Sequence, residues 1–313
     1  MRQIGFRKKR RDNRKKRRGY NFFRFGFFIL LALHGVGLYL NYDYWMFKLL
    51  ISQHYIFTDA LDTLYSQALG EENVRGYFQD FDRMVMAVVT QRIREINQDR
   101  YTYLYSPSEF TISREIVRED ARLVHFEALT DEIVYLFIPN IHSYTRQFVH
   151  DNRSEIAQFP YLILDLRGNY GGLLADFYRI ADLFVERGAS VGYERTRWPI
   201  FTSHIQGRRE PYFNFEHIII LQNERTASAA EGLILSLRAN LPNVTSIGTT
   251  TFGKGIGQVT IPLTGGSAVR ASVLLVEGPG SESIHLVGIE PDIFYDGDIL
   301  ARALDLIMEL MGS

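Results

Sequence analysis

The chain has 313 residues, 46% of them hydrophobic and 23% charged, which suits one or two globular domains with appendages and excludes a wholly disordered or collagen-like polymer. It contains no Cys, so a disulfide scaffold, a thiolate zinc site and a cysteine nucleophile are excluded together. The formal net charge of −1 averages two unlike regions: residues 1–24 hold twelve Lys/Arg and one Asp (+11), leaving 35 − 12 = 23 basic and 36 − 1 = 35 acidic residues (−12) in the remainder.

The basic tail, residues 1–21, precedes an apolar stretch that runs from Phe25 to Leu40 without Asp, Glu, Lys or Arg. A helix rises 1.5 Å per residue, so about 20 residues span a hydrocarbon core of roughly 30 Å. Residues 22–45 meet that length, Arg24 can snorkel at one end, and Tyr39, Tyr42, Tyr44 and Trp45 form an interfacial belt at the other. No small-x-small cleavage site follows, so the sequence predicts one uncleaved transmembrane helix. The positive-inside rule puts the amino terminus in the cytoplasm and everything beyond residue 45 outside the cell membrane. A nucleic-acid-binding arm would not need the adjacent apolar run, and no nucleic-acid partner is expected.

Residues 46–130 read as mainly helical, with i, i+3, i+4 recurrence at Met46–Leu50, Ala60–Tyr65 and Phe81–Ile93. Pro107 starts a turn or caps a helix. From residue 131 to the end, strands and helices alternate. Ile133–Ile138, Tyr161–Leu166 and His217–Leu221 are apolar runs with the length of buried strands. Helices are expected at Thr145–Ala157, along the face Leu173, Phe177, Ile180, Ala181 and Phe184, at Ala229–Leu241, and at Leu300–Leu310. Val259–Leu263 and Ala268–Val276, joined by Thr264-Gly-Gly-Ser267, read as a hairpin. The alternation argues an α/β core.

Four stretches depart from what packing alone requires. Asp165-Leu-Arg-Gly-Asn-Tyr-Gly-Gly172 joins a strand to a helix, and its glycine pair either makes an ordinary turn or brings backbone N–H groups close to a ligand. Asn223–Glu231 carries Ser228 at another strand-to-helix corner. Ser228 can be a helix N-cap boxed with Glu231, or a nucleophile whose following N–H, that of Ala229, helps form an oxyanion hole. Gly248–Lys254 spells G-x-x-x-x-G-K, yet Gly255 stands where a phosphate-binding loop needs a hydroxyl, and the strand-like Gln258–Leu263 follows instead of a helix. Lys254 is either a surface residue in a turn or, if buried, a proton acceptor of lowered pKa. Ser281–Asp292 contains His285, for which structural roles outweigh a pairing with Ser228. The His residues have no ligand spacing, so no metal is expected.

In this order, and together with Asp99–Phe110, the stretches Asp165–Gly172, Thr226-Ala-Ser-Ala-Ala-Glu231, Thr251-Phe-Gly-Lys-Gly-Ile-Gly-Gln258 and Val287-Gly-Ile-Glu-Pro-Asp292 resemble the C-terminal processing (tail-specific) serine peptidases. The resemblance covers about residues 90 to 295. It implies a core similar to the crotonase and Clp-protease folds. It also implies Ser228 as nucleophile, Lys254 as general base, Gln258 positioning the lysine amine, and Gly171, Gly172 and Ala229 at the oxyanion hole. The reaction implied is peptide-bond hydrolysis through an acyl-enzyme, on a polypeptide substrate and with neither metal nor cofactor.

One departure stands out. Members of that family usually carry a PDZ module between the helical segment and the first core strand, and only about twenty residues separate Phe110 from Ile133. Substrate selection then falls to residues 46–130, to a separate presenting partner or to a homo-oligomer. The alternative expectation is a catalytically silent peptide-binding scaffold on the same fold.

Overall fold

A computed structural model of the protein describes residues 25–39, 41–58 and 83–312. The basic tail expected at residues 1–21 and the helical recurrence at Ala60–Tyr65 lie outside these residues.

The amino-terminal helices are α1 (Phe25–Tyr39) and α2 (Tyr42–Leu49), which widens into a π turn at Leu50–His54, followed by α3 (Arg83–Ile96). Here the structure departs from the predicted single span over residues 22–45. Among the described residues no one helix is long and apolar enough to cross a membrane. Phe25–Tyr39 and Tyr42–His54 meet that test only as a pair bent by 70°. The physical reason is that α2 belongs to the folded body: Phe47, Leu50 and Ile51 are buried, whereas Phe25, Leu30 and Leu33 of α1 are exposed.

Strand β1 (Tyr103–Tyr105) and helix α4 (Pro107–Ala121) come next. Ser106 caps α4: its hydroxyl accepts the Glu109 N–H, the Glu109 carboxylate accepts the Ser106 N–H, and Pro107 occupies the first turn. Then follow β2 (His125–Ala128), β3 (Ile133–Phe137), α5 (Ser143–Asp151), the single turn α6 (Arg153–Ile156), β4 (Tyr161–Asp165), α7 (Leu174–Ala181), and the hairpin β5 (Ser190–Thr196)–β6 (Ser203–Gln206). The chain ends with β7 (His217–Gln222), α8 (Ala229–Asn240), β8 (Val244–Gly248), β9 (Ile256–Pro262), β10 (Ala268–Glu277), β11 (Ile293–Phe294) and α9 (Ile299–Met311).

Two sheets form, giving a mixed α/β fold. In the first, of order β11-β8-β7-β4-β3-β2, all pairs are parallel except β2 on β3. Its central strands carry the unbroken apolar runs Ile133–Phe137, 161–164 and 218–221 because helices cover both faces. Phe177, Ile180, Leu233 and Leu237 of α7 and α8 pack on one side, and Ile299, Ala303 and Ile307 of α9 on the other. The second sheet is antiparallel and centred on β10, with β9 along one edge and β1 and β5 sharing the other. Phe47, Leu50, Ile51, Met86, Val89 and Ile93 pack over Val269, Ala271 and Val273, which clamps α2 and α3 onto that sheet.

Several elements differ from the sequence reading. Tyr103–Tyr105 is a strand, and β2 already belongs to the first sheet, so the predominantly helical stretch gives way to sheet before residue 131. The helix expected over Thr145–Ala157 is interrupted at Asn152, whose φ/ψ of −95°/5° is non-helical. Leu173 is exposed rather than inward, because it stands ahead of α7, where its N–H is donated to the Ile141 carbonyl. Between Phe110 and Ile133 the chain is occupied by the rest of α4 and by β2.

Asp99 fastens the amino-terminal segment to the second sheet. Its buried carboxylate accepts the Tyr55 hydroxyl at 3.0 Å, the Ser272 hydroxyl at 3.2 Å, and the N–H groups of Tyr101 and Thr102. Burial, then the Asp99 charge, pushes the Tyr55 hydroxyl well above its ordinary pKa, so it remains a donor. The clamp delivers Tyr101 to the edge of the site described next.

Candidate active site

The site is built where the loops after β4 and β7 meet. The Thr226 hydroxyl donates to the Leu166 carbonyl at 2.8 Å, the Ala227 N–H to the Asn169 carbonyl at 2.8 Å, and the Gly168 N–H to Asn223 Oδ1 at 3.0 Å. Asn169 is buried, and its amide bridges the Ile138 carbonyl and the Gly171 N–H. These bonds hold two strand ends side by side. Helix α8 must start immediately beyond them.

Ser228 stands at that corner with φ 58° and ψ −121°, a conformation an L-residue adopts only under constraint, and it is 7% exposed. The constraint is close packing against Gly171. A Cβ at Gly171 would lie 2.7 Å from Ser228 Cβ and 2.9 Å from the Ala229 nitrogen, and its φ of +91° also favours glycine. Gly172 is required by a second approach: an added Cβ would lie 1.8 Å from the Ile141 carbonyl oxygen.

Glu231 joins this corner to the segment ahead of β9. It is fully buried on the first turn of α8. One carboxylate oxygen accepts the Ser228 N–H at 2.7 Å and the Lys254 N–H at 2.9 Å. The other accepts the Thr251 hydroxyl at 2.6 Å and the Gly253 N–H at 2.7 Å. Four charge-assisted bonds satisfy the buried charge and set the spacing between the two backbones.

Ser228, Lys254, Gln258 and Gly172 line one cavity of about 880 Å³, to which α4 also contributes. Four of the six sequence-predicted residues thus share one cavity, and Gly171 and Ala229 stand beside it, against Ser228. Burial, then the charge of Arg270, lowers the Lys254 pKa to about 8, with Glu231 opposing. Its Nζ lies 5.3 Å from the centre of the Tyr101 ring, a contact that, like Glu231, favours the ammonium. Gln258 Nε2 donates to the Tyr101 carbonyl, which leaves its Oε1 as an acceptor. Among the described residues, Lys254 Nζ has no hydrogen-bond partner, and Ser228 and Glu231 form a capping box at the start of α8.

The three expected backbone donors are not equivalent. Gly171 gives its N–H to Asn169 Oδ1 at 2.9 Å, so its contribution is steric. The N–H groups of Gly172 and Ala229 have no acceptor among the described residues. Ala229 occupies the first helical position of α8, where no intrahelical partner exists. Such N–H groups can receive a developing negative charge, and a neutral amine facing a hydroxyl can take its proton.

Other sequence candidates fall away from this centre. His285 does not line the cavity; its ring lies near Phe57 and Tyr101, and burial lowers its pKa. Lys254 is followed by β9, so the phosphate-loop reading lacks its helix. Among the described residues no group of three or more His, Asp or Glu is placed to share a metal ion. Sequence reasoning saw Glu231 only as a capping partner and missed Tyr101 and Asn169. An acid embedded among Ala229, Ala230, Leu233 and Ile234 was the available signal for Glu231.

The model of peptidase family S41 matches residues 132–295, just over half of the chain. A chloroplastic C-terminal processing peptidase of Tetradesmus obliquus is 30% identical over 159 residues, covering 49% of this chain and 32% of that protein. The carboxy-terminal processing protease CtpA of Bacillus subtilis is 33% identical over 131 residues, 42% of this chain and 28% of that protein. The chain thus spans about a third of the length of these relatives. Among solved structures, a lipoprotein from Streptococcus agalactiae superposes with a TM-score of 0.64 at 17% identity, covering 83% of this chain and 92% of that one. The photosystem II D1 C-terminal processing protease gives 0.63 at 16% identity, over 88% and 97%. At these identities the likeness is one of fold.

Glu231→Gln tests the hub. An amide presents two donors where four donors already converge, so unfolding free energy should fall by about 2–4 kcal/mol. Urea denaturation measures this, and an unchanged midpoint would contradict the role given to the carboxylate.

Proposed function

The chain belongs to peptidase family S41, and from that premise we propose that it is a membrane-anchored serine endopeptidase acting through a Ser-Lys pair and an acyl-enzyme. The observation that carries this reading is the meeting, in one cavity, of the Ser228 hydroxyl, a lysine of lowered pKa and Gly172, next to the unused N–H of Ala229.

Neutral Lys254 accepts the Ser228 proton as Oγ attacks the substrate carbonyl. The resulting oxyanion is received by the N–H groups of Ala229 and Gly172. Collapse of the tetrahedral intermediate expels the amine, which takes the proton back from the Lys254 ammonium. Water then attacks the acyl-enzyme with the same amine as base. Gln258, its Nε2 held by the Tyr101 carbonyl, offers Oε1 to orient the lysine amine. A pKa near 8 leaves roughly one lysine in ten neutral at pH 7, against about one in 2,500 for an ordinary lysine. The substrate is a polypeptide, entering between α4 and the strand ends.

Anchoring is proposed from the +11 charge of residues 1–24 beside α1, whose Phe25, Leu30 and Leu33 are exposed. A hydrocarbon environment would cover those side chains, with the tail cytoplasmic and the catalytic body on the opposite side.

Replacing Ser228 with Ala should lower kcat on an unfolded model protein by at least roughly 10⁴-fold with far-UV dichroism unchanged; retained turnover would exclude the mechanism. The base acts deprotonated, so kcat/KM should fall tenfold per pH unit as pH drops below about 8 and level off above it. A flat profile from pH 6 to 9 would rule out Lys254 as the base. Anchoring is tested by alkaline carbonate extraction of membranes: the full chain should stay in the pellet, and release into the supernatant would refute it.

A further inference from the structure

The cavity that holds Ser228 has a charge in its lining that the rest of the body does not. Residues 25–313 carry −12, yet three arginines, Arg114 and Arg118 of α4 and Arg270 of β10, line this cavity with a single carboxylate, Glu115. None of the three arginines is in an ion pair among the described residues. Arg114 and Arg118 also stand four residues apart, and like charges at that spacing destabilise a helix. The fold therefore sustains unpaired charge on the surface that a substrate must cross.

Two of these guanidinium groups are held in place without using up their donors. Arg270 lies 4.9 Å over the Tyr105 ring, Tyr105 lies 5.9 Å from Phe110, and Arg114 lies 5.6 Å over the Phe110 ring. Stacking on an aromatic face fixes a guanidinium through its plane and leaves the N–H edge open. Arg270 spends only Nε, on the Thr260 hydroxyl at 3.0 Å, and Arg114 forms no hydrogen bond among the described residues. An arginine edge matches a carboxylate in a bidentate manner. The stack is thus organised in advance for an anionic group.

We propose that Arg114, Arg118 and Arg270 form a carboxylate subsite that selects a negatively charged peptide group for presentation to Ser228. The carboxylate is supplied either by an acidic side chain or by the free end of a polypeptide. The proposal deepens the peptidase reading and rests on it for the identity of the ligand. It assigns selectivity to α4 and the β1–α4 junction within this chain. Lys254 is assigned to the reaction itself and is left unchanged in every variant compared below, so its charge does not account for a difference between them.

Binding is measured by fluorescence anisotropy on the full chain carrying Ser228→Ala, which requires no turnover. Three labelled ten-residue peptides are compared: a neutral peptide amidated at its carboxyl end, the same peptide with one internal Glu, and the neutral peptide with a free α-carboxylate. At least one carboxylate-bearing peptide should bind roughly tenfold more tightly than the neutral one, and which of them does so identifies the source of the charge. In Ser228→Ala with Arg114→Gln and Arg118→Gln, both at exposed positions, the preference should shrink to less than about threefold. Arg270→Gln, whose site is half-buried, is read in the same way after its thermal unfolding has been checked. Equal binding of all three peptides, binding by none, or a preference that survives the double arginine replacement overturns the subsite. Failure of the peptidase reading shows separately, as absence of hydrolysis by the unsubstituted protein.

Discussion

The architecture of the site depends on one buried carboxylate. Glu231 holds the backbone N–H groups of Ser228, Gly253 and Lys254 and the hydroxyl of Thr251, and so joins the start of α8 to the segment entering β9. A charge without solvent access is tolerated only when fully coordinated. The four donors are therefore compelled to converge, and the two loops acquire a fixed separation. Ser228 and Lys254 owe their common cavity to that requirement more than to any contact between their own side chains.

Around this hub three parts of the chain meet. The parallel sheet supplies the strand ends and the corner that strains Ser228. The antiparallel sheet supplies Gln258 and Arg270. The amino-terminal segment, fastened through Asp99, supplies Tyr101, whose ring lies beside the Lys254 amine and whose carbonyl holds Gln258. None of the three holds the full set of groups. Displacing the Asp99 clamp would thus disturb Lys254 and Gln258 from a distance, through Tyr101. The same segment continues through Tyr105 and Phe110 into α4 with its arginines, so one stretch of chain touches Lys254 and Gln258 and also lines the cavity they share.

Strands with uninterrupted apolar runs, such as Ile133–Ile138 and Tyr161–Leu166, were legible because burial on both faces leaves no choice of residue type. The strands of the second sheet were harder. In Ser190–Thr196 and Ser203–Gln206 one face is wet and the apolar count is low, and Tyr103–Tyr105 is three residues long. A three-residue strand has no periodicity to read; it exists because β10 offers it an edge. Likewise Leu173 fits the apolar face of α7 by spacing, but a backbone bond to Ile141 places it ahead of the helix and in the cavity.

By itself the sequence determined the α/β class, the order of the motif-bearing loops, and which side chains carry transferable protons. These are local properties, set by run length, spacing and residue chemistry. Only the tertiary structure decided that Gly171 spends its N–H on Asn169 while Gly172 and Ala229 keep theirs. It likewise decided that Lys254 is dry enough to titrate near 8 and that Glu231 is a hub as well as a cap. The reason is that hydrogen-bond allocation and desolvation depend on which distant segments come into contact, and no single stretch of chain encodes its own neighbours.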